Sequence, residues 1–380
     1  MKRIITVILL LALILAITGE KSQAEEIESV WSNTVNYKNR GSYTDTQLVD
    51  RGFFSLIIGV SDDYLVLPLY DLQNNISAYV IQYYNEDVPY SYVVINTRTI
   101  VEDAYYIEFG KGNFAEIVGL SEADVFGKSI KVYYCGGSEY YLGVDDSLYH
   151  FEGELRELDS DLIAALTDRT SGVYYNYGET LTLSAVFSKE VGYDTYSAYT
   201  RSTSFTKRTM AATKYAYGSN NPVSEHCAPT AAVNFLQYLY SVEGKTNIPM
   251  SSWQSVFIAL HTAMGTSNTN GTSDSNVAPA YQTVLRSYGY NSATASIQYY
   301  ASWSQVTSAL SSNAVHLCLH SSEIYGNHSV LSIGYISFSH STGWVSKYYT
   351  IVDGRTADVR YVHSGLGIDH INLVTVYVGS

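Results

Sequence analysis

The chain reads as an α+β protein in two parts, and three observations lead there. Residues 53–109 hold short runs rich in Tyr, Val and Ile, separated by turn-forming clusters such as Gln73-Asn74-Asn75, the pattern of an antiparallel sheet. From Cys227 to Leu310, apolar residues recur at helical spacing. After Ala314 the runs become β-branched and aromatic again. A small antiparallel α+β domain therefore comes first. A second domain follows, with helices at its N-terminal end and an antiparallel sheet at its C-terminal end.

Taken in order, the first segment is not part of the fold. Lys2 and Arg3 precede an apolar run over residues 4–17, and Ser22-Gln23-Ala24 follows. This is the composition of a secretory signal peptide, residues 1–24, cut after Ala24. The run is too short for a comfortable membrane span, so the mature chain is expected to be secreted and soluble. Strands are expected over residues 53–58, 64–69, 76–84, 91–96 and 104–109. A helix is expected over 155–167, with Leu158, Leu162, Ala165 and Leu166 on one face. Residues 195–214 are polar, small and weakly basic, and read as an exposed linker open to cleavage, where Lys207 and Arg208 suit trypsin-like processing. The first domain with its linker then occupies 25–205, and the second 206–380.

In the second domain Cys227 opens a helix. Pro229 suits the first turn, where its missing N–H costs nothing, and Ala232, Phe235, Leu236 and Leu239 form a face to bury. Ser251 and Ser252 cap a helix from Trp253; Pro279 opens another that stops at Gly289; Ser302 caps one carrying Val306 and Leu310. Residues 314–320, 325–335 and 347–354 follow as strands.

Chemistry gathers at three residues. A thiol at a helix start meets unpaired N–H groups and the positive end of the dipole, which favour the nucleophilic thiolate. If the last two strands pair as a hairpin centred near His340 and Ser341, His328 faces Asp353 across it. Cys227, His328 and Asp353 then supply nucleophile, general base and orienting group, with Asp369 and Asn372 as other candidates for the third role. The Cys227 N–H gives one oxyanion donor, and Asn220 or Asn221 the second. An isolated Cys is most often a small buried hydrophobe, and an Asp before a Gly is an ordinary turn residue. The order of all three together favours chemistry over those plainer roles.

The run Cys227-Ala-Pro-Thr-Ala-Ala-Val-Asn-Phe-Leu-Gln-Tyr resembles the nucleophile helix of bacterial papain-fold cysteine peptidases, in both the bacteriocin-processing-like and the streptopain-like branches. Gly326-Asn-His-Ser-Val with Gly334-Tyr335 is similar to their His strand. The resemblance spans residues 206–380 and implies a papain-like fold, hydrolysis of a protein or peptide substrate, and no cofactor. It gives Cys227, His328 and Asp353 the family's catalytic roles. The family's oxyanion residue is usually Gln, whereas Asn220 and Asn221 are the nearest matches here. The phrase Leu67-Pro-Leu-Tyr-Asp-Leu-Gln-Asn-Asn-Ile-Ser-Ala-Tyr-Val-Ile resembles a streptopain-like propeptide. That implies a proenzyme whose own propeptide is an intramolecular inhibitor, covering the cleft until removed.

Composition narrows the partners. A net charge of −14 with 22 basic residues leaves no electrostatic footprint for nucleic acid or anionic membrane. The 37 Tyr suit half-buried sheets and binding faces alike, so they decide nothing. Three Cys leave at least one free thiol, and a Cys135–Cys318 disulfide is compatible with that count. His316 and His320 flank Cys318 on a strand, about 13 Å apart, too far to share one zinc. No metal site is read there; these residues, like His226 beside the nucleophile, are assigned to core, sheet surface or loop. Two other functions stay open: an acyltransferase or amidase on the same fold, and a non-catalytic surface-binding protein.

Overall fold

The computed structural model describes residues 54–164 and 195–379, less internal gaps of which 97–105, 121–127, 152–154, 214–225, 321–327 and 340–344 are the longest. The expected signal peptide, Asn220, Asn221 and Asp369 lie outside the described residues. Strands β1 (Tyr64–Tyr70), β2 (Ile76–Asn85), β3 (Val88–Asn96) and β4 (Tyr106–Lys111) form an antiparallel meander. Asp71 fixes the first turn by accepting from the N–H groups of Gln73 and Asn75, and Asn74 takes the left-handed φ of 64° that Asn tolerates. After a short helix α1 (Phe114–Ile117) come β5 (Ile130–Gly136), β6 (Glu139–Val144), β7 (Ser147–Phe151) and β8 (Leu155–Glu157).

The second half begins with β9 (Thr195–Thr200). It continues through α2 (Cys227–Ser241), α3 (Trp253–Met264), α4 (Asp274–Ser287), β10 (Thr294–Gln298) and α5 (Trp303–Ser312). It ends with β11 (Val315–His320), β12 (His328–Ser339), β13 (Val345–Val352), β14 (Arg360–His363) and β15 (His370–Tyr377). Helices α2, α3 and α4 bury their apolar faces against one side of this half's sheet, where Cys318, Leu331, Ile333 and Val352 lie. Val306 and Leu310 of α5 pack on Leu317, Leu319, Val330 and Ile351 of the opposite side, as the alternation of strand side chains requires.

The papain-like arrangement expected from the sequence is not what forms. Among the described residues strand outweighs helix, and no helical part is followed by its own sheet behind a separate pro-domain. All the described strands belong to one mixed sheet of 15, in the order β10-β15-β11-β12-β13-β14-β4-β3-β2-β1-β5-β6-β7-β8, with β9 paired to β12. The junction is β14 against β4, with Tyr361 opposite Phe109 and the two rings stacked at 4.8 Å. An unpaired strand edge seeks a partner, and periodicity within a segment does not reveal which edge will supply it.

Four local expectations change as well. Phe54 and Ile57 are helical rather than extended, and their turn closes at Gly59 with φ 78°. The helix expected over 155–167 begins as strand β8, and helical geometry starts only at Ser160. Helix α4 starts at Asp274, not at Pro279, which lies inside it. Residues 195–214 are not an exposed linker over their length. Thr195–Thr200 is a strand, Phe205 and Met210 are buried, and Asn234 bonds both the N–H and the carbonyl of Arg208. Only Ser202–Ser204 and Thr206 are exposed within residues 201–210.

The Cys135–Cys318 disulfide is also excluded. Cys318 is a free thiol, and its strand β11 lies eight places from β5 in the sheet. At about 4.8 Å per strand that is about 38 Å, against the ~7 Å limit for bridged Cα atoms.

Candidate functional site

Helix α2 starts at Cys227, which is half-buried and forms no disulfide. The sheet brings His328, the first residue of β12, and Asp353, the residue after β13, to the same end of that helix. Two contacts establish this. A Cβ on Gly354 would lie 2.8 Å from Thr230 Cγ2, so the turn after Asp353 packs on the first turn of α2. Cys318 pairs with Ser329 across β11 and β12, and the Ser329 hydroxyl lies 3.8 Å from its sulfur. Burial, then Asp274, and also the nearby Cys227 push the Cys318 thiol well up. Helix α2 packs on the Cys318 face of the sheet, with Ala228 and Ala232 in the same core as Cys318.

The hairpin does not have the expected register. Ser339 pairs with Val345, so its centre falls at 342, and a bulge between Ser332 and Gly334 shifts the pairing again before Leu331 meets Val352. Gly334 allows β9 to approach: a Cβ there would overlap the Tyr199 carbonyl and lie 2.8 Å from Thr200 Cα. His328 nevertheless reaches Asp353, by a different atom from the one expected. Its Nε2 donates to the Asp353 main-chain carbonyl at 3.2 Å. A carbonyl only accepts, so Nε2 carries the hydrogen, and whenever the ring is neutral its lone pair falls to Nδ1.

The Asp353 carboxylate is used elsewhere. Oδ1 accepts from the Arg355 N–H at 3.0 Å, which fixes the turn, and Oδ2 is paired with Arg360. Burial opposes ionisation of Asp353, but Arg360, then Arg355 and His328, outweigh it and hold the carboxyl below its usual range. Arg360 is itself wholly buried. Its Nη2 donates to both Glu108 oxygens at 2.7 Å, and its Nε donates to the Tyr92 hydroxyl at 3.0 Å. Glu108 and Tyr92 come from β4 and β3, so the N-terminal half reaches into the site.

A second polar cluster lies on the Cys318 side of the sheet. His320 Nε2 is 2.6 Å from Asp274 Oδ2, and the Asn372 amide donates to the same oxygen at 2.7 Å. Burial opposes the Asp274 carboxylate, but these bonds and the His320 charge keep its carboxyl below the usual range. The His370 ring stacks on His320 at 4.4 Å and on Tyr300 at 4.4 Å. Strand alternation sets His320 on the face of Cys318, whereas His328, opposite Leu319, belongs to the other face. Asn372 had been a sequence candidate; Asp274 had not. Its sole sequence mark is its place after Ser273, just where α4 begins.

His226 flanks α2, as expected, but is not an exposed loop residue. It is the N-cap of α2, buried against Phe257 and His261, and burial followed by the His261 charge pulls its pKa down to about 4. Among the described residues no group of three or more His, Cys, Asp or Glu is arranged to hold a metal, and no helix is long and apolar enough to cross a membrane. Set against known protein families and curated proteins, the chain matches no family model and no curated sequence.

Proposed function

We propose that the protein is a secreted cysteine endopeptidase, made as a proenzyme, with Cys227 as nucleophile and His328 as general base. The carrying observation is the convergence of the α2 start, the β12 start and the Asp353 turn. The resemblance of the Cys227 run and the His328 strand to bacterial cysteine peptidases supports the same chemistry. His328 Nδ1 takes the thiol proton, and the thiolate attacks a peptide carbonyl. The S–C bond forms, the C–N bond breaks, and the amine leaves with the proton from His328. Water, deprotonated by the same ring, then cleaves the thioester to a carboxylic acid and returns the thiol. The Asp353 carbonyl keeps the ring in the tautomer that this cycle needs.

His320 is the other candidate base, favoured by two observations: it shares the face of Cys318 and is already held by Asp274. Hydrolysis of an unfolded protein by residues 25–380 under reducing conditions tests both assignments. Cys227→Ala should lower the rate by at least about a thousandfold, and retained activity in that variant overturns the proposal. His328→Ala should match that loss while His320→Ala keeps most of the rate; the reverse ranking moves the base to His320. Amine adducts formed in place of free acid would instead mark a transferase.

A further inference from the structure

Four buried side chains link the two halves of the molecule at one point. Tyr92 donates to Glu108 Oε1 at 3.0 Å; both Glu108 oxygens also accept from Arg360 Nη2; Arg360 Nη1 is paired with Asp353. Tyr92, Glu108 and Arg360 are fully buried and Asp353 is nearly so. Of this set, Arg360 and Asp353 belong to the second half, and Tyr92 and Glu108 to the first. A guanidinium is a rigid planar fork. Bonds on three of its nitrogens fix its plane, and that plane fixes Asp353 Oδ2. The same residue's Oδ1 holds the turn at Arg355, and its carbonyl holds His328.

We propose that Glu108 and Tyr92 are positioning residues for His328, acting through Arg360 and Asp353, which makes the N-terminal half a working part of the site as well as its cover. The inference rests on the assignment of Cys227 and His328 made above. It follows that a cut between the halves converts the proenzyme without separating them: the active form keeps β4 on β14. The charged and titratable groups that face this centre are Arg355, His328 and Asp358 around Asp353, and Tyr140 beside Arg360.

The test is the rate at which iodoacetamide alkylates Cys227 in residues 25–380, followed by peptide mass across about pH 5 to 9. Wild type, Glu108→Gln, Tyr92→Phe and His328→Ala are compared, with thermal melting as the check on folding. Glu108→Gln keeps the shape and removes the charge; Tyr92→Phe removes one hydroxyl. Both should react roughly tenfold more slowly than wild type at pH 7 while still melting cooperatively. Should Glu108→Gln fail to fold, Tyr92→Phe decides alone. Rates within about twofold of wild type, with a clear loss in His328→Ala, overturn the inference and leave the His328 assignment standing. A wild-type profile in His328→Ala removes that assignment, and the inference with it.

Discussion

Gly354 shows how one residue ties the turn to the helix. It sits at φ 78° directly after Asp353, and any side chain there meets Thr230 in the first turn of α2. The left-handed conformation costs an Ala residue about 1–2 kcal/mol, and the clash with Thr230 adds to it. Gly354→Ala should therefore destabilise the fold by about 2 kcal/mol, read as a lower denaturant midpoint. It should also slow Cys227 alkylation, because the shift needed to relieve the clash moves Asp353 away from His328. The Asp-Gly pair was legible in the sequence as a turn. Its contact with Thr230, 124 residues earlier by their numbering, was not, since turn chemistry is local and this packing is not.

At the scale of elements, local signals predicted well and distant ones poorly. Ser302 was read as a cap because hydroxyls accept from the N3 N–H, and the structure has the full capping box: Ser302 accepts from Gln305 N–H, and Gln305 accepts from Ser302 N–H. Ser302→Ala should cost about 1 kcal/mol and loosen α5, measurable as faster amide exchange over Trp303–Ser312. Strands β1 to β4 and the start of α2 were likewise legible, each from its own periodicity and end signals. The β12–β13 register was not. Hairpin symmetry assumes an unbroken ladder, and the bulge at Ser332 and Gly334 breaks it. Strand β9 escaped for a related reason: its small polar residues resemble a linker, and only pairing with β12 makes them a strand.

For the whole molecule, two buried histidines set an acid limit. His226 and His316 both have folded pKa values of about 4 against an ordinary 6.5, chiefly through burial. Between those values the unfolded chain binds more protons than the folded one, so stability rises with pH across that window. Thermal melting should therefore hold steady above pH 6.5 and fall progressively towards pH 4, with further loss below as Asp353 and Asp274, whose carboxyls lie below their usual range, take up protons. Replacing His226 by Gln should flatten part of the slope; an unchanged slope would show that His226 does not titrate on unfolding.

The continuous sheet also bears on how the chain is made. Glu108 and Arg360 stand 252 residues apart. At ribosomal speeds of about 5–20 residues per second, that interval takes roughly 13 to 50 seconds. Throughout it β4 has a bare edge and Glu108 lacks its cation, although the first half already holds a core of its own between Leu65 and Val144. For that interval the edge is open to pairing with other nascent chains, a hazard that this architecture places in its own biogenesis.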